Sequence, residues 1–305
     1  MKNNRINELT KISRTWNIIL IIPLVFAAFI VLVPLINIII ASFSSKESLS
    51  VKGFSFFPNE WSLEGYTFLF QFGDQLWRGY YVSIWYSVIG TAISLFMMSL
   101  YAYVIWQKGF GASKFYTWVM LITMLFNGGI VPQYILITRY LQIDDTAMVL
   151  LTHLLMHGFY IVILRSFLKT AIPDSVVESA RIDGAGHFRI YFSIVLPLFK
   201  AGLATVGLFG FVYRWNDWFT PVLYISNPEL VPLQTFLFRM QSYITFLTAN
   251  AQMATTPEGL ALLRNMPGRN LIMACTVVAI VPVLFAYPFF QRFFVRGMLI
   301  GSVKE

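Results

Sequence analysis

Charge is what this chain has least of. Asp, Glu, Lys and Arg make up 12% of its 305 residues, about half the share in an average soluble domain. Hydrophobic residues fill 57%, so the chain belongs in a bilayer. Cysteine is nearly absent as well: the single Cys275 excludes an intrachain disulfide and, set in an apolar run, reads as a small packing residue. No Gly-x4-Gly-Lys-Ser/Thr stretch occurs, which removes the phosphate-cradling loop of that kind and any sign that this chain hydrolyses ATP. Histidine is scarce. His153 and His157 stand at metal-ligand spacing on one face of an expected helix, but no Glu follows His153, and His187 lies in a polar stretch elsewhere. They read as hydrogen-bonded intramembrane groups, with no metal site.

The uncharged runs supply the architecture: an all-α polytopic membrane protein with six transmembrane helices. The first run, Ile18 to Ile40, exceeds the ~7 to 15 apolar residues of a signal-peptide core and is read as a retained span. The second is uncharged between Arg78 and Lys108, the third between Lys114 and Arg139, and the fourth between Asp145 and Arg165. The fifth runs from about Ala201 to Ile225, and the sixth lies between Arg269 and Arg292. Each meets the ~20 residues a spanning helix needs. Residues 1–305 are read as one transmembrane domain.

Lys and Arg orient the bundle. With the N-terminus inside, fourteen of the 22 fall on cytoplasmic pieces and seven on external ones, with Arg214 inside the fifth span. Both termini are therefore expected in the cytoplasm, together with the 168–198 loop, and residues 1–16 form a basic cytoplasmic N-terminal segment. The net charge of +8 is then a topology signal and gives no reason to propose a nucleic acid partner. The external pieces at 44–77 and 226–268 are too long for simple turns, and long loops often bind or move something. A connector resting on the mouth of the bundle is the alternative.

Residues 178–197 are a polar, helix-forming stretch between two hydrophobic segments. Pro173 and Asp174 suit a helix start before Glu178, Gly184-Ala185-Gly186 allows a sharp turn, and Pro197 suits the first turn of the next helix. The spacing Glu178, Ala180, Gly184, Ile194, Leu196 and Pro197 resembles the EAA loop of the membrane subunits of ABC importers. Ser179 stands where the motif's name has Ala. Trp215-Asn216-Asp217-Trp218, Pro232-Leu233-Gln234 and the tail from Tyr287 to Gly297 narrow the resemblance to the carbohydrate branch with the type I fold of the maltose transporter.

That resemblance implies a multi-pass subunit in the cell membrane of a prokaryote, part of an ATP-driven importer of a sugar or oligosaccharide. A second permease would complete the pore, and two ATPase subunits or domains would hold ATP and Mg. An extracytoplasmic solute-binding protein would deliver the sugar, and this chain would bind no cofactor of its own. It also implies that Glu178, Ser179, Ala180, Asp183, Gly184 and Ala185 form the coupling helix that docks on the ATPase. An importer of a non-sugar solute and a stand-alone secondary transporter are the competing readings.

Two further places point to the substrate pathway. The third span carries Asn127-Gly128-Gly129 and Pro132-Gln133, which should interrupt the helix near mid-bilayer; such a break either lines a cavity or is a packing kink. In the fifth, Ala204, Gly207, Gly210, Arg214 and Asp217 recur at three- and four-residue steps. A charge at the bilayer centre costs about 2.5 to 3.5 kcal/mol on insertion scales, so Arg214 and Asp217 are expected to face the pore or each other. The candidate pathway residues are Asn127, Gln133, Arg214, Trp215, Asn216, Asp217 and Trp218, with Asn216 and the two indoles offering hydrogen bonds and stacking surfaces.

Overall fold

The computed structural model describes residues 14–249 and 268–301. In chain order the helices are α1 (Arg14–Ser42), α2 (Lys46–Lys52), α3 (Glu64–Gln71), α4 (Gly73–Trp106), α5 (Ser113–Leu125), α6 (Ile130–Leu141), α7 (Ala147–Thr152) and α8 (Gly158–Ala171). They continue as α9 (Asp174–Ile182), α10 (His187–Leu198), α11 (Lys200–Trp215), α12 (Phe219–Tyr224), α13 (Leu233–Ala249) and α14 (Arg269–Gly301). The described residues contain one isolated β-bridge, Ser44 to Trp61, and no strand. Residues 1–13 of the N-terminal segment, 250–267 of the second long loop and 302–305 of the tail lie outside the described residues.

Among the described residues two helices are each long and apolar enough to cross a membrane, and up to four spans result if each strongly bent pair counts as one. The expected first and second spans are present as α1 and α4. Side chains along α1 are exposed over most of its length, as a helix apolar all round requires when its neighbour is lipid. The expected third span is broken as its glycines suggested, with a 111° bend between α5 and α6. Gly129 there has φ +86°, a conformation a side chain resists.

Two expectations need correction. The fourth segment is not one helix: α7 stops at Thr152 and α8 restarts at Gly158, so His153 and His157 flank a break and share no helical face. The fifth does not run to Ile225, because α11 ends at Trp215 and α12 begins at Phe219. A 78° bend also separates α10 from α11, beyond wide helical turns at Tyr191–Val195 and beyond Pro197, which has no N–H to give the helix ladder.

The chain divides into two compact units. In the first, residues 1–71 and 252–278, the first long loop, expected outside, is built and not slack. Ser45 Oγ accepts the Ser48 N–H at 3.1 Å to cap α2, Ser42 Oγ lies 2.8 Å from the Tyr66 hydroxyl, and a Cβ on Gly65 would sit 3.0 Å from the Asn270 carbonyl oxygen. Cys275 is buried there.

The second unit, residues 72–251 and 279–305, is organised on α4. Its buried positions include Ser83, Ser87, Gly90, Thr91, Ser94 and Ser99, a small, hydroxyl-lined stripe. Such residues let neighbouring backbones approach closely in a membrane. Here α8, α11 and α13 pack against α4. At one end, Met98, Ala102, Tyr103 and Ile105 join Leu164, Leu168, Val177, Ala180, Ile190, Tyr191, Val195 and Phe199 in one buried cluster. The polar stretch seen in the sequence is thereby seated on the bundle.

Candidate functional site

The seated stretch is a helix, a tight turn and a second helix. Pro173 is extended and Asp174 opens α9, where a carboxylate favours the positive end of the helix dipole. Val177 and Ala180, three apart, turn inward, and full burial of a Val side chain contributes roughly 1.5 to 3 kcal/mol. At the far end the Ala185 N–H donates to the Ala180 carbonyl at 2.9 Å and the Gly184 N–H to the Arg181 carbonyl at 3.0 Å. Those paired bonds, with Gly184 at φ +77°, make the left-handed helix stop that glycine permits.

Of the six candidate coupling residues, Glu178, Ser179, Asp183 and Gly184 are exposed together, Ala185 is half-buried and Ala180 is buried. Ala180 therefore anchors the turn from inside. The end of α4 holds the stretch at three further points: Arg181 donates to Gln107 Oε1, the Tyr103 hydroxyl donates to the His187 carbonyl at 3.3 Å, and Lys108 pairs with Asp174. The hydrogen bond that Lys108 donates to the Asp174 carboxylate pushes the ammonium pKa up. A cleft of 750 Å³ opens beside the turn, lined by Gln107, Arg181, Gly184 and His187 among others.

Sequence reasoning missed the two residues that stand out most on this surface. Ile182 is 87% exposed and Phe188 76% exposed, one on each side of the Gly184 turn. The signal was available, since Ile182 sits well off the face defined by Val177 and Ala180 at 100° per residue. Two large apolar side chains beside one turn of a polar stretch make this surface a candidate for docking a partner. Ile182→Ser and Phe188→Ser should each weaken capture of a partner subunit about tenfold or more while the thermal unfolding of the isolated chain stays unchanged. Unaltered capture in both would remove the docking role.

The second candidate region surrounds the C-terminal end of α11. Arg214 is 1% exposed; its guanidinium donates to Ser94 Oγ and to the carbonyls of His153, at 2.9 Å, and Leu154, at 3.3 Å. Those carbonyls belong to the break between α7 and α8, where Leu154 holds φ +57°, a strained conformation for leucine. Arg214 thus satisfies backbone groups that the break would leave bare inside the bundle. Asp217 takes other partners: the Tyr86 hydroxyl at 3.0 Å and the Thr220 N–H at 3.0 Å, with His153 Nε2 3.8 Å away. The expected choice between the pore and mutual pairing is resolved into a third arrangement, in which each ion is held by neighbouring elements.

The other pathway candidates separate. Trp215 is 1% exposed, donates from Nε1 to the Ala279 carbonyl at 3.0 Å and stacks with Phe211; it offers no open face. Asn216 is exposed and donates to the Val212 carbonyl at 2.9 Å. Trp218 keeps 41% of its surface exposed while stacking on Phe238 at 4.1 Å. Asn127 and Gln133 are exposed at the bend between α5 and α6, where Asn127 Oδ1 accepts the Gly129 N–H at 2.9 Å. Among the described residues no hydrogen bond joins either of them to the 214–218 element. No group of three or more His, Cys, Asp or Glu suited to a metal ion occurs among the described residues.

A comparison with protein families places residues 80–300 on one family, the inner membrane component of binding-protein-dependent transport systems. The chain belongs to this family. The permease is 35% identical, over 92% of this chain and 95% of the relative, to the polygalacturonan/rhamnogalacturonan transport system permease protein YtcP of Bacillus subtilis. It is 27% identical, over 94% of this chain and 96% of the relative, to the arabinooligosaccharides transport system permease protein AraQ of Halalkalibacterium halodurans. Its fold matches a chain in the crystal structure of a bacterial ABC transporter involved in the import of the acidic polysaccharide alginate. That match has a TM-score of 0.74 and 27% identity, covering 93% of this chain and 99% of the other. The permease accordingly has the type I importer fold.

Proposed function

We propose that this permease is one membrane half of an ATP-driven importer that carries a sugar or oligosaccharide into the cytoplasm. The observation that carries the reading is the 35% identity to a permease named for polygalacturonan and rhamnogalacturonan, sustained over 92% of the chain. The docking surface around Gly184 supports it, because a chain without a nucleotide-binding loop needs a partner that hydrolyses ATP. In this reading a sister permease completes the pore, and two ATPase subunits hold ATP and Mg and grip Glu178, Ser179, Asp183, Ile182 and Phe188. A solute-binding protein loads the outer face, and this chain holds no cofactor.

The proposed topology has six crossings, both termini in the cytoplasm and the 226–268 loop outside. The bent pairs α5–α6 and α10–α11 each contribute to a crossing, with α14 as the last. Cysteines introduced at the exposed Ser50 and Ser226 in a Cys275→Ala background should label in intact cells with an impermeant maleimide, and one at Ser179 should not. Labelling at Ser179 alone would reverse the topology. Function is tested with the full complex in proteoliposomes: binding protein loaded with an oligosaccharide should raise ATP hydrolysis, and an unloaded one should not. Equal stimulation by both would remove the sugar from the account.

Within the 214–218 element, Asn216 and Trp218 are the proposed pathway residues with open surface. Asn216→Ala and Trp218→Ala should lower uptake with assembly and basal ATP hydrolysis near the parent values. Unchanged uptake kinetics in both would leave the 214–218 element a purely structural one.

A further inference from the structure

Helix α13 shows two working faces. On one, Thr235 Oγ1 donates to the Trp218 carbonyl at 3.2 Å and Phe238 stacks on the Trp218 ring, which ties α13 to the Trp-Asn-x-Trp element. On the other, Phe236, Arg239, Met240 and Tyr243 follow at three- and four-residue steps, so they share a face. That second face walls a cleft of 330 Å³, closed opposite by Phe72 and Gln75 at the start of α4 and by Ser226, Pro228 and Val231. The volume is at the lower end of the ~300 to 1,000 Å³ typical of small-molecule pockets, enough for about one terminal sugar unit.

The chemistry of the lining is selective. Aromatic rings give flat apolar surfaces that suit the C–H faces of a sugar ring, while Gln75 and Ser226 can exchange hydrogen bonds with hydroxyls. Among the described residues Arg239 is the one charged residue of the lining, and no Asp or Glu is part of it. Its guanidinium spends one donor on the Ile225 carbonyl at 2.7 Å, which fixes the side chain. Among the described residues no ion pair engages it, whereas the neighbouring Arg78 is matched by Glu229 at 3.5 Å. A fixed guanidinium with donors to spare beside aromatic planes favours a carboxylate, which it can bind through two parallel hydrogen bonds.

We infer that this cleft is a substrate subsite that takes an acidic sugar unit, with Arg239 on the carboxylate and Phe236 and Tyr243 against the ring. The inference rests on the proposed import function and topology, which put the cleft on the outer face. It makes the importer selective for oligosaccharides that carry uronic acid units over their neutral counterparts.

The test uses the complete transporter in proteoliposomes with saturating binding protein. Its probes are a galacturonic acid trisaccharide and the same trisaccharide with its carboxyl groups reduced to alcohols. The parent should take up the acidic probe with at least a tenfold lower KM than the neutral one. Arg239→Gln should raise the KM for the acidic probe about tenfold with kcat retained and leave the neutral probe unchanged, and Arg239→Lys should recover part of the loss. Tyr243→Ala, at an exposed ring, should raise KM for both probes without lowering the unfolding temperature. Equal KM values for the two probes in the parent, or an Arg239→Gln effect absent or equal on both, would overturn the acidic subsite while leaving sugar import standing. Uptake of neither probe by the parent would remove sugar import and the subsite with it.

Discussion

Gly184→Val should cut substrate-stimulated ATP hydrolysis and uptake at least tenfold while the membrane bundle unfolds at its usual temperature. Gly184 holds φ +77° at the stop of α9, and a Cβ placed there meets nothing within 4 Å. The penalty is therefore in the backbone. A left-handed conformation costs an L-residue about 1 to 2 kcal/mol, and a β-branched side chain makes it worse. The cheapest escape is to open the turn, which re-aims Phe188 relative to Ile182 and spoils the proposed two-point docking surface. The buried positions Val177, Ala180, Ile190 and Tyr191 lie on either side and are not touched by the change, so the bundle should hold. Gly184→Asn is the informative companion, because asparagine tolerates the left-handed region; it should keep most of the coupling. Parent-level coupling in Gly184→Val, or a loss as deep in Gly184→Asn, would show that the left-handed turn does not matter.

Arg214→Met should destabilise the permease most among single changes in the bundle, by about 3 to 5 kcal/mol, as removal of one partner from a buried ionic arrangement does. For a chain of this size that corresponds to a drop in unfolding temperature on the order of 10 °C. Methionine keeps much of the volume, so the loss is in the bonds: Ser94 Oγ and the carbonyls of His153 and Leu154 lose their donor, and Asp217 loses the only opposite charge built into its own stretch of chain. Gly90→Ala should act on the same joint from across the interface, since its Cβ would lie 2.7 Å from Arg214 Nε. Adding Asp217→Asn to Arg214→Met should cost less than the sum of the two single losses, because the unbalanced charge goes with it. Thermal unfolding of the purified complex checks all four proteins. A loss below about 0.5 kcal/mol for Arg214→Met would show that the break between α7 and α8 stands without it.

How much of this was legible in the sequence follows from what enforces each element. Helices α1 and α4 were readable because uncharged runs leave the chain no alternative in a bilayer. The bend at Asn127 to Gly129 was readable because glycine and proline act locally. The break at His153 to His157 was not, since no glycine or proline falls between Thr152 and Gly158; Arg214, some sixty residues away, holds it open through the backbone carbonyls. The early end of α11 had a signal that went unused: Asp217 sits where its carboxylate accepts the Thr220 N–H and starts α12, a common helix-start arrangement. The helix, turn and second helix of the 178–197 stretch were readable in outline from Glu178, Gly184 and Pro197. Its apolar knobs were passed over because the motif names the residues that shape the turn, whereas Ile182 and Phe188 are defined by where that turn points them. The cleft against Arg239 was out of reach, being assembled from three segments between Phe72 and Tyr243 that only the fold brings together.

The most direct test of the central claim is uptake of labelled oligosaccharide into proteoliposomes that contain this permease with its sister permease and ATPase, measured with ATP inside or outside and with the solute-binding protein present or absent. The account predicts accumulation only when ATP is on the side reached by the Gly184 turn and the binding protein is on the other, with no effect from collapsing ion gradients. Accumulation driven by a proton or sodium gradient without ATP would contradict it.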